Sequence, residues 1–239
     1  MKFLRLGFKR EIALPMLALM FASMVNMGLV LARIVYTGNV KYGFLAWNLF
    51  LAWLPLVFAL LASEEFQNRG RHTWSFRSLA AAWLLFFPNA PYIFTDLTHL
   101  TTHFYNHFWI DMVLIVSCAF TGLVIGFVSL YLMQTVVRRM WGALISWVFV
   151  FGIAGLSSFG IYVGRFLRFN SWDVIVRPVR LYHGIGKWAA DPFSHPTGYA
   201  FPALFATFLF TSYLMLYALT HLQPADLPES LDGAKLGQA

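Results

Sequence analysis

The chain has 239 residues, 59% of them hydrophobic and 11% charged, with a mean hydropathy of +0.66. Soluble domains carry about 25% charged residues, so a soluble fold is excluded and the excess apolar side chains must face lipid. A net charge of +7 and a pI near 9.7 would suggest nucleic acid in a soluble chain. Here the basic residues flank apolar runs, which assigns them to orientation and to anionic lipid head groups and leaves no nucleic-acid partner.

A helix needs about 20 apolar residues to cross the hydrocarbon core. Six runs approach that length, which predicts an all-α, polytopic bundle of about six transmembrane helices in a single membrane domain over residues 1–222. The first run, 12–32, follows Lys2, Arg5, Lys9 and Arg10. It is too long for a signal-peptide core and lacks a clear small-x-small cleavage site, so it is expected to stay as a span. The second, 42–63, carries Asn48 and Pro55. The third, 78–95, is uncharged, but Pro88 and Pro91 should break it near Phe87. The fourth, fifth and sixth cover 112–137, 140–162 and 200–222, and residues 223–239 read as a disordered tail. The lone cysteine, Cys118, excludes an intrachain disulfide and a Cys-rich metal site.

Lys and Arg accumulate on the cytoplasmic side of membrane proteins. With the N-terminus inside, the 17 Lys and Arg divide ten to seven in favour of the cytoplasm, which predicts N-in and C-in. The connection after the fifth run opposes the trend with Arg165, Arg168, Arg177, Arg180 and Lys187. It shares a side with the connection after the third run, because each joins an odd-numbered span to the next even one. Both are expected outside the cytoplasm. Pro178 should split the Arg-rich connection into a turn up to Val176 and a second, interfacial piece from Val179.

Chemistry concentrates in these two connections. Asp96, His99, His103, His107 and Asp111 follow at spacings of three, four, four and four, which on a helix keeps them within an arc of roughly 120°. Asp96 and His107 would lie about 16 Å apart on that helix, so at most an adjacent pair could share one metal ion. Asp96/His99 and His99/His103 are the pairs, with Asp173, His183, Asp191 or His195 completing the ligands. No cofactor is dictated; a divalent metal at Asp96 and His99 is compatible with the residue types, as is a plain interfacial polar face. Arg165 and Arg168 would sit one turn apart at the mouth of the fifth span, where two guanidinium forks suit a phosphate or carboxylate and Asp173 can pair with one of them. Snorkelling to lipid phosphates is the alternative. Gly160 and Gly164 form a small-xxx-small pair that lets another helix approach closely. Asn48 and Asn89 fall at the same side, so Asn48, Asn89, Asp96 and Arg165 could border one outward-facing pocket.

Three stretches carry a family resemblance: Trp47-Asn48-Leu49-Phe50 running to Pro55, Phe87-Pro88-Asn89-Ala90-Pro91-Tyr92 running to His99, and Gly164-Arg165 running to Asn170-Ser171-Trp172-Asp173. They resemble a bacterial integral-membrane family catalogued as domain of unknown function 1361. The resemblance spans roughly residues 40 to 220 and implies a multi-pass protein of the bacterial inner membrane, with Asn170 joining the candidate ligand-binding residues; it implies no activity. Two uses remain open. One is a membrane-embedded enzyme on an anionic or lipid-linked substrate, with Asp96 and His99 as catalytic or metal-binding groups and Arg165 and Arg168 holding the anion. The other is a transporter or permease component, or a non-catalytic assembly subunit.

Overall fold

A computed structural model describes residues 10–69, 73–102, 108–169, 171, 173–190 and 197–221, and all the regular structure in them is helical. Helix α1 (Arg10–Thr37) leads through a 3₁₀ turn (Val40–Tyr42) into α2 (Gly43–Arg69). Asn39 starts that turn by accepting a hydrogen bond from the Lys41 amide at 2.9 Å. Helix α3 (Trp74–Phe86) is capped by Thr73, whose hydroxyl accepts from the Phe76 amide at 3.2 Å. A break at Phe87 and Pro88 precedes the single turn α4 (Asn89–Tyr92) and a ten-residue 3₁₀ helix (Ile93–Thr102). Then follow α5 (Phe108–Trp141), α6 (Ala143–Arg165), two short helices α7 (Asp173–Val176) and α8 (Pro178–Ala190), and α9 (Thr197–Thr220).

Among the described residues five helices are long and apolar enough to cross a membrane: Ala13–Thr37, Val40–Arg69, Phe108–Trp141, Ala143–Arg165 and Gly198–Thr220. The chain is an all-α membrane protein. The third expected span differs. Its regular helix has 13 residues, about 20 Å of rise against a core of about 30 Å, and α4 with the 3₁₀ helix continues it past the prolines. The boundary expected at Arg138 and Arg139 also moves, since α5 runs on to Trp141 with both arginines in its last turn. Cations are favoured at that end by the helix dipole. Gly142, at φ 90°, makes the turn into α6. The Arg-rich connection is split at Pro178 as expected, with Arg177 between α7 and α8.

Helix α5 is the axis of the bundle. Its apolar stretch is 67% buried, against 17% in α1 and 11% in α9, which turn most of their surface outward. Burying apolar surface gains little when the alternative is lipid, so close packing and interhelical hydrogen bonds must hold such a bundle. Both are present. Asn26 of α1 donates to Thr121 Oγ1 at 2.8 Å and accepts from the Ser117 hydroxyl at 2.6 Å. Trp83 Nε1 of α3 donates to Ser129 Oγ at 3.2 Å. The broken third segment enters the bundle over glycines: a Cβ at Gly122 would lie 2.8 Å from Ile93 Cδ1 and 2.9 Å from the Ala90 carbonyl oxygen. One at Gly126 would meet Ala90 Cβ at 2.8 Å, and one at Gly160 would meet Pro88 Cγ at 3.1 Å. The Gly160/Gly164 pair thus receives the broken segment, where the sequence suggested a whole helix. Gly122 and Gly126 supply a matching groove on the other side.

Candidate functional site

Three elements converge beside the break. Asn48 comes from the second turn of α2, Asp96 and His99 from the 3₁₀ helix, and Arg165 from the last residue of α6. Asn48 Nδ2 donates to Asp96 Oδ2 at 2.8 Å, and Arg165 Nη1 donates to Asp96 Oδ1 at 3.3 Å. His99 Nε2 lies 3.8 Å from Asp96 Oδ1 and 3.5 Å from Arg165 Nη1. Arg165 Nη2 also donates to the Thr98 hydroxyl. Asp96 is 1% exposed at the centre of these contacts.

Local sequence explains the backbone. Ala90 N bonds to the Phe87 carbonyl at 3.1 Å, which leaves the Phe86 carbonyl without its helical partner. Asn89 Nδ2 takes it at 3.0 Å and reaches Ser171 Oγ at 3.2 Å. Farther on, Thr95 and Thr98 donate to the carbonyls of Tyr92 and Thr95, at 2.7 and 2.9 Å. Bonds of this i to i−3 kind accompany a helix with three residues per turn, and that period stacks His99 directly over Asp96.

The electrostatics follow from burial. Desolvation pushes the Asp96 carboxyl up to about 6, outweighing the hydrogen bond from Asn48 and the charge of Arg165, which pull it down. Burial lowers the His99 pKa, and the charges of Arg165 and Lys41 lower it further. Both shifts disfavour the charged forms, which burial makes costly here.

The cluster forms one wall of a cavity of about 880 Å³. Asn48, Asn89, Asp96, His99, Arg165 and Ser171 are its polar lining. Trp47, Leu84, Leu156 and Phe159 are among its apolar lining, together with Leu181 and Ile185 of α8.

Other expected residues are placed differently. Helix α6 stops at Arg165, and Arg168 adopts a left-handed backbone with φ 58°, so it does not follow one turn on. Arg168 is exposed and off the cavity wall, and the double-guanidinium clamp is not formed. Asp173 is buried at the start of α7 and also stands off the cavity wall. Of the five-residue His/Asp face, Asp96 and His99 are on the 3₁₀ helix and Asp111 is on α5, while His103 and His107 lie outside the described residues. Asn170, Asp191 and His195 lie outside them too. Asp111 belongs to a separate clasp, accepting from Arg33 Nε at 2.6 Å, Arg33 Nη2 at 3.1 Å and the Tyr42 hydroxyl at 2.7 Å.

A divalent metal at Asp96 and His99 would compete with Arg165 for both groups. The Arg165 guanidinium already stands between the two, where a bridging cation would sit. Among the described residues no third His, Cys, Asp or Glu joins them, and His183 is exposed and bonded to the Val179 carbonyl at 2.8 Å. A zinc site takes three or four protein ligands, and the other residues named for it, His103, Asp191 and His195, lie outside the described residues. Thr98 and Ser171 are the site residues that the sequence does not single out. Ser171 stands inside one of the family stretches, and the Thr95/Thr98 spacing is the available signal for the other.

The family model described as Protein of unknown function (DUF1361) matches residues 47–217, which takes in every member of the polar cluster. No curated protein and no solved structure matches the chain.

Proposed function

The chain belongs to the family described as Protein of unknown function (DUF1361), and from that premise we propose a membrane-embedded enzyme acting on a lipid-linked substrate. The observation that carries this reading is the cavity itself, which combines a mostly apolar lining with the buried Asp96 cluster. Such a lining suits an amphiphile whose chain lies along Trp47, Leu84 and Phe159 and whose head group meets Asp96. Asp96 is the proton-transfer group, because a carboxyl held near 6 can both take and return a proton at neutral pH. Arg165 stabilises its charged form, and Asn48 orients it. The Lys and Arg distribution favours a cavity facing outward from the inner membrane of a bacterium, with both termini in the cytoplasm.

The test uses purified protein in phosphatidylcholine nanodiscs incubated with a bacterial lipid extract, followed by mass spectrometry of retained and consumed lipids. Retention should be lost in Ala81→Trp, which fills the cavity from its exposed wall. Consumption of one lipid species should be lost in Asp96→Asn. No retained lipid would sink the lipid-linked reading, and retention without turnover would reduce the protein to a binder or carrier. The discontinuous third helix beside the cavity is the feature that a transporter would share, and uptake of a retained species by proteoliposomes is its signature.

A further inference from the structure

Resting on the lipid-linked reading, we propose that the head group meeting the Asp96 cluster is uncharged and rich in hydroxyls, a sugar or similar polyol, and is not a phosphate. Charge is the first reason. Among the described residues that line the cavity, Arg165 is the one Lys or Arg, and its guanidinium is already engaged by Asp96 and Thr98. An incoming phosphate would find no uncompensated cation among them and would lie against the Asp96 carboxylate. Arg168, the second guanidinium such an anion would want, is off the wall.

Hydrogen-bond inventory is the second reason. The amide nitrogen of Asn48 gives one of its two hydrogens to Asp96, and that of Asn89 gives both, to the Phe86 carbonyl and Ser171. Both amides line the cavity with an oxygen that accepts, and Asn48 keeps one N–H to donate. The Ser171 hydroxyl accepts from Asn89 and so keeps its own hydrogen to give. A phosphate monoanion or dianion brings almost only acceptors and would leave both amide oxygens facing other oxygens. A polyol brings groups that donate and accept, and it can satisfy Asn48, Asn89, Asp96 and Ser171 together. Trp47, half exposed, and Phe159 also line the cavity, and aromatic rings suit the weakly positive C–H edges of a sugar ring.

The test compares three probes with the same twelve-carbon chain, an alkyl glucoside, an alkyl phosphate and the parent alcohol, titrated into the nanodisc-held protein and read by native mass spectrometry. The glucoside is expected to bind about tenfold more tightly than either of the others, since one to two net hydrogen bonds correspond to about that factor. Asn48→Ala should remove most of the preference while leaving the alcohol unaffected. Ser171→Ala should reduce it as well, and it keeps the Asn89 bond to Phe86 that Asn89→Ala would break. Phosphate binding equal to or tighter than glucoside would overturn the head-group assignment and leave the lipid-linked reading standing. So would equal binding of all three that Ala81→Trp abolishes. Failure of all three to bind would overturn both.

Discussion

Asp96 is the residue from which the site's pH behaviour can be worked out. Its folded-state carboxyl titrates at about 6 against an ordinary value of 3.8. Between those values the folded protein holds a proton that the unfolded chain releases. Stability from this group is therefore full at low pH and is lost as pH rises through about 6. A tenfold change in proton affinity corresponds to about 1.4 kcal/mol, so the loss is at most about 3 kcal/mol. Thermal unfolding in detergent should show the wild type falling in Tm from pH 5 to pH 7.5 more steeply than Asp96→Asn; parallel profiles would contradict the assignment. Legibility at this scale is uneven. Asn48, Asp96 and Arg165 stand out in sequence because polar groups are rare among so many apolar ones. Arg168 misleads because spacing assumes a continuing helix, and its left-handed backbone belongs to how the chain leaves α6. Spacing groups Asp111 with the histidines, while its partners Arg33 and Tyr42 lie about 70 or more positions away.

At the scale of elements, the broken third helix is what brings Asp96 to Asn48 and Arg165. It depends on the grooves that glycines open in its neighbours. Gly126→Ala places a Cβ 2.8 Å from that of Ala90, and overpacking of this kind costs roughly 1–3 kcal/mol. Gly28→Ala in α1 adds a methyl with nothing within 4 Å and should be neutral or stabilising by up to about 1 kcal/mol. Measured together by thermal unfolding, the two should move Tm in opposite directions or only Gly126→Ala should lower it. Equal effects would mean that the groove is not tight. The prolines that break the segment are plain in the sequence, because their effect is local. The seat is not, because Gly122 and Gly126 acquire meaning only through Ala90 and Ile93, some thirty positions earlier.

At the scale of the whole molecule, the sequence predicts six spans, and among the described residues five helices are long enough to cross. Parity nevertheless agrees with where the chain goes. The third segment runs back along α2, since Asp96 meets Asn48 near the start of that helix. Parity needs only the number of passages, not their regularity, so a broken passage counts as one. The facing of the cavity is the matter to measure. In a Cys118→Ser background, Arg180→Cys on α8 should react with a membrane-impermeant maleimide added outside intact cells, and Trp74→Cys at the start of α3 should react only after permeabilisation. The reverse pattern would invert the protein and put the cavity in the cytoplasm.

The ten-residue 3₁₀ helix is also a length standard. Its rise is about 2.0 Å per residue against 1.5 Å for an α-helix, so rewinding Ile93–Thr102 into α form would shorten it by about 5 Å. The same rewinding would swing His99 about 60° around the axis from Asp96, since three residues would no longer complete a turn. The segment is thus a lever with a fixed stroke: the winding that stacks imidazole on carboxylate is also the winding that extends the carboxylate to Arg165.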